Sequence, residues 1–249
     1  MCGRFVSESP PDEIARYFSA VDLVDVALEP SWNVAPTDDI YVVVGDGTSR
    51  RLDAFHWGLV PHWAKDIPSG NRMINARAET LAVNGAYKPA FGRRRCLIPA
   101  DGFYEWKAVP GKKKKQPFFI HRPDGDLYAF AGLWETWRRP DGAEPGVAWS
   151  DRDILRSATI ITTTANPAMA ELHDRMPVIL PAGTWDTWLD RGNHDLAALG
   201  ELLVPAPPEL TMMHPVASDV GNVRSNGAHL IDRIEPTESN VDGAQATLL

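Results

Sequence analysis

The chain has 249 residues, of which 44% are hydrophobic and 23% charged, enough for a sizeable core and outside the composition of disordered chains. No apolar run reaches the roughly 18 residues of a bilayer-spanning helix, which excludes a protein that spans membranes by helices. The formal net charge of −8 excludes a uniformly basic nucleic-acid coat, although it leaves room for a local basic groove.

Along the chain, the leading segment Met1-Cys2-Gly3-Arg4-Phe5 is followed by no apolar stretch of the kind that makes a secretory signal. The two cysteines, Cys2 and Cys96, are too few for a disulfide framework, so a cytoplasmic protein in a reducing compartment is expected. Ser9-Pro10-Pro11-Asp12 predicts a helix start with Ser9 as N-cap, and Ile14, Tyr17, Phe18 and Val21 supply its apolar face. Short strands are predicted over 40–44, 52–57, 96–98, 103–106, 118–121, 127–133 and 158–163. Asp46-Gly47, Pro110-Gly111 and Asp124-Gly125 mark turns between them. Two helices follow, near 183–189 and 195–203, and residues 236–249 read as a disordered tail behind a domain of 1–235. Many strands with few interspersed helices predict an α+β fold on antiparallel sheet.

Basic residues concentrate between Lys88 and Lys115: Lys88, Arg93, Arg94, Arg95, Lys107 and Lys112 to Lys115, against Asp101 and Glu105 alone. The lysine run sits at an expected hairpin tip, as a solvated turn or as a patch that tracks phosphates. P-loop, dinucleotide-binding, HExxH and Cys-x-x-Cys patterns are missing, so neither a metal nor a cofactor is expected.

The most informative residue is Cys2. Loss of Met1 would expose an α-amine of pKa about 7.7–8.0, far more often free at neutral pH than a lysine amine. Such an amine attacks an aldehyde to give an imine, and the thiol of the same residue then closes a five-membered thiazolidine. Arg4, just behind, is placed to pair with a phosphate or with a surface carboxylate. On an extended segment Asn75 and Arg77 point to one face, suiting an anionic or sugar-bearing ligand; the alternative is a structural Asn75 in a turn and an Arg77 paired with Glu79. Glu105 shares a strand face with Phe103, opposite Tyr104 and Trp106, as a proton shuttle or as an exposed partner of Lys107. His173, among charged residues before Val178-Ile179-Leu180, is a candidate acid-base group or a structural histidine. Trp63 lies in a loop-like stretch where an exposed indole stacks on an unpaired base, whereas Trp57, Trp134, Trp185 and Trp188 suit the core.

Taken in order, Met1 to Phe5, Trp32 to Pro36, Trp57 to Trp63, Asn75 to Glu79, Asp101 to Lys107, Gln116 to Phe119, His173 to Leu180 and His214 to Gly227 resemble the SOS response-associated peptidase (SRAP) family of abasic-site processing proteins. The resemblance implies one compact domain on mainly antiparallel, barrel-like sheet with flanking helices and a basic groove for single-stranded DNA. It implies that Cys2 captures the ring-opened abasic sugar, Asn75 holds the linkage, Glu105 moves protons and His173 assists ring opening. Arg4, Arg77 and Arg175 would meet phosphates, Asn33, Pro36 and Thr162 would line the site, and Trp63 would separate stacked bases. The chain departs from some members at Ala64, where they carry a second tryptophan. The implied protein is a monomer acting on DNA in the cytoplasm. The older idea behind the family name, a thiol autopeptidase, and a plain single-strand binding module are the rival readings.

Overall fold

The computed structural model describes residues 2–22, 24–25, 27–139 and 154–235. The first half holds β1 (Phe5–Ser7), α1 (Pro11–Tyr17), β2 (Val21–Asp22), β3 (Ser31–Val34), β4 (Asp39–Gly45), β5 (Arg50–Trp57), β6 (Asn75–Arg77), α2 (Lys88–Arg93), β7 (Arg95–Ala100) and β8 (Gly102–Lys107). The second half adds β9 (Gln116–His121), β10 (Tyr128–Arg138), β11 (Ile154–Thr164), β12 (Arg175–Pro177), α3 (Trp185–Leu189), α4 (Leu196–Glu201) and β13 (Met212–Pro215).

The larger sheet runs β12-β11-β10-β7-β4-β5-β2, and β11 also pairs with β5, so that β11, β10, β7, β4 and β5 close into a barrel. Alternation along each strand decides what fills it. Ile40, Val42 and Val44 of β4, Phe55 and Trp57 of β5, Cys96 and Ile98 of β7, and Ala158 and Ile160 of β11 belong to the interior cluster. Tyr41, Val43, Leu52, Leu97, Ala131 and Ile161, one residue out of phase, face outward under Ile14, Phe18, Phe91, Trp188 and Leu199 from the helices. Gly132 marks how full the interior is: a Cβ there would meet the Cys96 sulfur and the Ile98 side chain at 2.9 Å each.

The smaller sheet, ordered β13-β9-β8-β1-β3, lies across one end of the barrel. Phe5, Phe103 and Ile120 on its inner face join the interior cluster, and the Phe5 ring meets Trp57 edge-on at 5.1 Å. Its other face, with Val6, Tyr104 and Phe119, packs on Val216, Val220 and Leu230. The fold is therefore the expected α+β one, a barrel with flanking helices.

Each expected strand has a counterpart, mostly longer than foreseen: β10 extends to Arg138 and β11 begins at Ile154. The 183–189 helix begins as a 3-10 turn over Ala182–Thr184, and α4 spans Leu196–Glu201. Ser9 does not cap α1. Pro10 holds that position without a side-chain bond, while the Ser9 hydroxyl and backbone N–H donate to Asp101. The lysine run does lie at a hairpin tip, between the paired β8 and β9, and is exposed. The basic stretch forms no single patch, because Arg94 pairs with Glu135 and Arg95 is buried on four backbone carbonyls. The expected tail, 236–249, lies outside the described residues.

Candidate functional site

Strand β1 runs between β3 and β8, with Phe5 opposite Val34 and Phe103, and so carries Cys2 to the capped end of the barrel. In the chain with Met1 still attached, Cys2 is 0% exposed. Its thiol lies 3.8 Å from the Arg4 carbonyl and packs in the interior cluster with Phe5, Trp57, Met169 and Met176. Burial, and after it the negative charge of Glu105, pushes the thiol pKa well above its ordinary value. The sulfur is therefore a neutral thiol at neutral pH.

Asn75 is set beside Cys2 by β6, which pairs in parallel with β11 so that Asn75 lies opposite Ile160. The Asn75 side-chain amide donates to the Cys2 carbonyl at 2.8 Å. The strand is pinned on either side: Trp57 Nε1 donates to the Ile74 carbonyl at 3.0 Å, and the Tyr87 hydroxyl to the Asn75 carbonyl at 3.2 Å. Asn75 Oδ1 is buried with no hydrogen-bond partner among the described residues. An unsatisfied acceptor beside Cys2 is poised for a donor on an incoming ligand. Sequence reasoning missed Tyr87, which carries no motif signal.

Glu105 projects from β8 on the Phe103 side, into the barrel end, and is 4% exposed, whereas Tyr104 and Trp106 pack on the opposite face. The alternative of a surface carboxylate paired with Lys107 does not hold: Glu105 is buried, and Lys107 points to Glu171 at 4.0 Å. A buried carboxylate whose charge reaches the Cys2 sulfur is suited to take and return protons there.

A cleft of 560 Å³ formed by Arg77, Glu79, Thr80, His173, Asp174 and Arg175 opens at the ends of β6 and β12. Thr164 pairs with Arg175, and the guanidinium folds back onto β11, donating to the Thr162 carbonyl at 2.6 Å. Thr162, fully buried, thus positions Arg175. The remaining fork of Arg175 grips Glu79 through both carboxylate oxygens, at 2.7 and 3.0 Å. This hydrogen bonding holds the Glu79 carboxyl below the usual range. The partner of Glu79 is thus Arg175 and not Arg77, which is exposed and has no hydrogen bond or ion pair on its guanidinium among the described residues. His173 Nδ1 lies 2.8 Å from the Asp174 carboxylate and 3.0 Å from the Arg175 backbone N–H.

Arg4 and Asn33 form a clasp. Arg4 donates to Asn33 Oδ1 at 2.7 Å and to the Val220 carbonyl at 2.9 Å. Asn33, 3% exposed, donates to the Asn222 and Ser225 carbonyls at 3.0 and 2.9 Å. Both side chains therefore shape the 220–225 loop. Pro36 is half-buried in the β3–β4 turn, ahead of Thr37, which takes a left-handed φ of 82°. That conformation is rare for a β-branched residue and is fixed by the Thr37 N–H donating to the Trp57 carbonyl at 2.9 Å. Trp63 is 64% exposed, while Trp57, Trp185 and Trp188 are buried. Ala64 is 4% exposed and its carbonyl accepts from Trp137 Nε1 at 2.8 Å. It packs with Trp137 and Leu155 near the start of β11, so Trp63 stands apart from the residues gathered around Thr162 at the far end. Among the described residues no three His, Cys, Asp or Glu side chains gather as metal ligands.

Comparison with known proteins gives this arrangement a context. The family model "SOS response associated peptidase (SRAP)" matches residues 1–223. Abasic site processing protein YoqW of Bacillus subtilis (strain 168) is 40% identical over 233 residues, covering 93% of this chain and 99% of its own length. Abasic site processing protein YedK of Escherichia coli (strain K12) is 32% identical over 245 residues, covering 94% and 100%. A crystal structure of a protein from Bacteroides thetaiotaomicron shares the fold, with a TM-score of 0.80 at 22% identity over 94% of this chain and all of that one. With the family model covering nearly the whole described fold and two relatives aligned end to end, the chain belongs to the SRAP family.

Proposed function

We propose that the chain recognises abasic sites in single-stranded DNA and joins them covalently through Cys2 once Met1 has been removed. The observation that carries this reading is the Asn75 amide on the Cys2 carbonyl at the barrel end where Glu105 is buried. This contact holds the Cys2 backbone through its carbonyl and engages neither its nitrogen nor its sulfur. That relatives aligned over nearly their whole length are named abasic site processing proteins supports the substrate.

Because burial keeps the thiol protonated, the amine attacks first. The free α-amine adds to the C1 aldehyde of the ring-opened sugar, and the carbinolamine loses water to give an imine. The Cys2 sulfur then adds to the imine carbon, and the thiol proton ends on nitrogen. The sum is aminothiol plus aldehyde giving thiazolidine plus water. Glu105 relays protons in the dehydration and ring closure, and in the reverse direction. Holding both nucleophiles on one positioned residue makes the second step intramolecular. His173 serves ring opening from the adjacent cleft, where Arg77 and Arg175 meet phosphates and Trp63 supports a base beyond. The protein acts in the cytoplasm as a monomer, without metal or cofactor.

The same buried, neutral thiol weighs against a thiol peptidase, whose nucleophile is a thiolate. The test pairs intact mass, to establish that Cys2 is the leading residue, with incubation on abasic single-stranded DNA. A denaturant-resistant adduct lost in Cys2→Ala is the expected result. An undiminished adduct in that variant, or in protein that retains Met1, overturns the thiazolidine. Amine release from peptides without any DNA adduct would establish the peptidase instead, and salt-sensitive binding alone the passive module.

A further inference from the structure

The barrel has a second end, away from Cys2, and its mouth is lined with arginine. The inward alternation that places Phe55 and Trp57 in the interior continues outward along β5 to Asp53 and Arg51. Along β11 it leads from Ala158 to Arg156, and along β10 from Trp134 to Arg138. With Arg191, from the turn after α3, these residues form a cleft of 380 Å³ containing four arginines against one aspartate. In a chain of net charge −8 this is a strongly cationic spot, and it lies outside the basic 88–115 stretch. Asp53 is committed to Arg156, whose guanidinium also lies 5.8 Å from the centre of the Phe55 ring. Arg51, Arg138 and Arg191 are exposed, and their guanidinium groups have no hydrogen bond or ion pair among the described residues. Trp134, half-buried, lines the same cleft and packs on Phe55 at 5.6 Å.

We infer that this mouth is a binding site for a nucleotide phosphate group, separate from the reactive end. Three guanidinium forks converging on one concavity match the geometry of phosphate oxygens. The indole beside them offers a face for a base, and the volume is in the range of small-molecule pockets. Along β11 six residues separate Arg156 from Thr162, about 20 Å at the rise of a strand. A ligand here therefore leaves Cys2 free. The inference does not depend on the thiazolidine chemistry. The 140–153 segment, between β10 and β11 in sequence, lies outside the described residues. Its sequence carries Asp141, Glu144, Asp151 and Asp153, so the full chain is the right test object, because internal neutralisation would show as no binding.

The experiment titrates the full chain by calorimetry with inorganic phosphate, with dAMP and with a short intact oligonucleotide bearing or lacking a 5′-phosphate. Saturable binding of phosphate and tighter binding of dAMP are expected. Preference for the 5′-phosphorylated oligonucleotide over dAMP identifies a strand terminus as the source, and the converse a free nucleotide. The double variant Arg138→Gln, Arg191→Gln should weaken dAMP binding at least tenfold. Arg138→Lys with Arg191→Lys should fall between, since lysine keeps the charge and loses the fork. Melting temperature and adduct formation with abasic DNA should stay at wild-type values in both, because neither side chain supports the fold. Failure of the wild type to bind any probe, or equal dAMP binding by the glutamine variant, overturns the site.

Discussion

Replacing Glu79 with glutamine should tighten DNA binding. Glu79 occupies the fork of Arg175 through contacts of 2.7 and 3.0 Å, while the other Arg175 bonds run to Thr162 and survive the change. A phosphate on Arg175 must therefore displace this carboxylate. The pair is only partly shielded, with side-chain exposures of 15% for Arg175 and 49% for Glu79, so solvent screening limits its worth to about 0.5–1 kcal/mol. Relieving the competition should then lower the Kd for abasic or intact single-stranded DNA about 2- to 5-fold. Arg175→Gln should act in the opposite sense, about 10- to 100-fold weaker, from the loss of charge-assisted hydrogen bonds. The carboxyl is held below its usual range, so it stays ionised throughout neutral and mildly acidic solution, and the gain should be equal at pH 6 and pH 8. Fluorescence anisotropy with a labelled single strand at about 0.15 M salt reads all of this. A Glu79→Gln protein that binds no better than wild type would refute Glu79 as an occupant of a phosphate seat.

Trp63→Ala removes an indole that is 64% exposed, so stability should change by no more than about 0.5 kcal/mol. Loss of base stacking should cost about 1–3 kcal/mol of affinity for single-stranded DNA, and unchanged binding would remove Trp63 from the interface. Arg95→Met should lower the melting temperature by about 6–12 °C, from roughly 3 kcal/mol of lost charge-assisted bonds. Those bonds run from the guanidinium of Arg95, a residue 2% exposed, to the carbonyls of Phe91, Trp188, Asp190 and Asn193, and calorimetric scanning checks the shift. Adduct formation should speed up about tenfold per pH unit below about pH 7 and level off near pH 8, following the α-amine. A rate governed by thiolate would keep rising well past that point, since the Cys2 thiol is shifted upward.

The barrel strands were legible because each alternates apolar residues and is bounded by turns. Asp46-Gly47, Pro110-Gly111 and Asp124-Gly125 all fall where the chain reverses, and Gly111 takes the positive φ of 76° that its tight turn requires. Three-residue elements such as β1 and β12 were not, because a strand so short has no periodicity of its own and is defined by its neighbours. The face of Glu105 followed from alternation alone, but its burial needed the second sheet to fold across the barrel end. Asn75 and Cys2 lie 73 residues apart, and only the parallel pairing of β6 with β11 brings them into contact. Ion-pair choice was the least readable layer. Glu79 sits two residues from Arg77, yet pairs with Arg175, 96 positions away, because Thr162 fixes that guanidinium first. Ser9 failed as a cap because Asp101, invisible to a local reading, bids for the same hydroxyl.

The position of β1 has a consequence for how the molecule matures. The N-terminal segment leaves the ribosome first, yet Gly102 and Phe103, the β8 partners of Val6 and Phe5, are made about a hundred residues later. At ordinary translation speeds that is an interval on the order of 5–20 s. Until then β1 lacks its β8 partner, and in the folded chain Cys2 is buried. An enzyme that trims N-termini during translation would have that interval to act on an unpaired chain end.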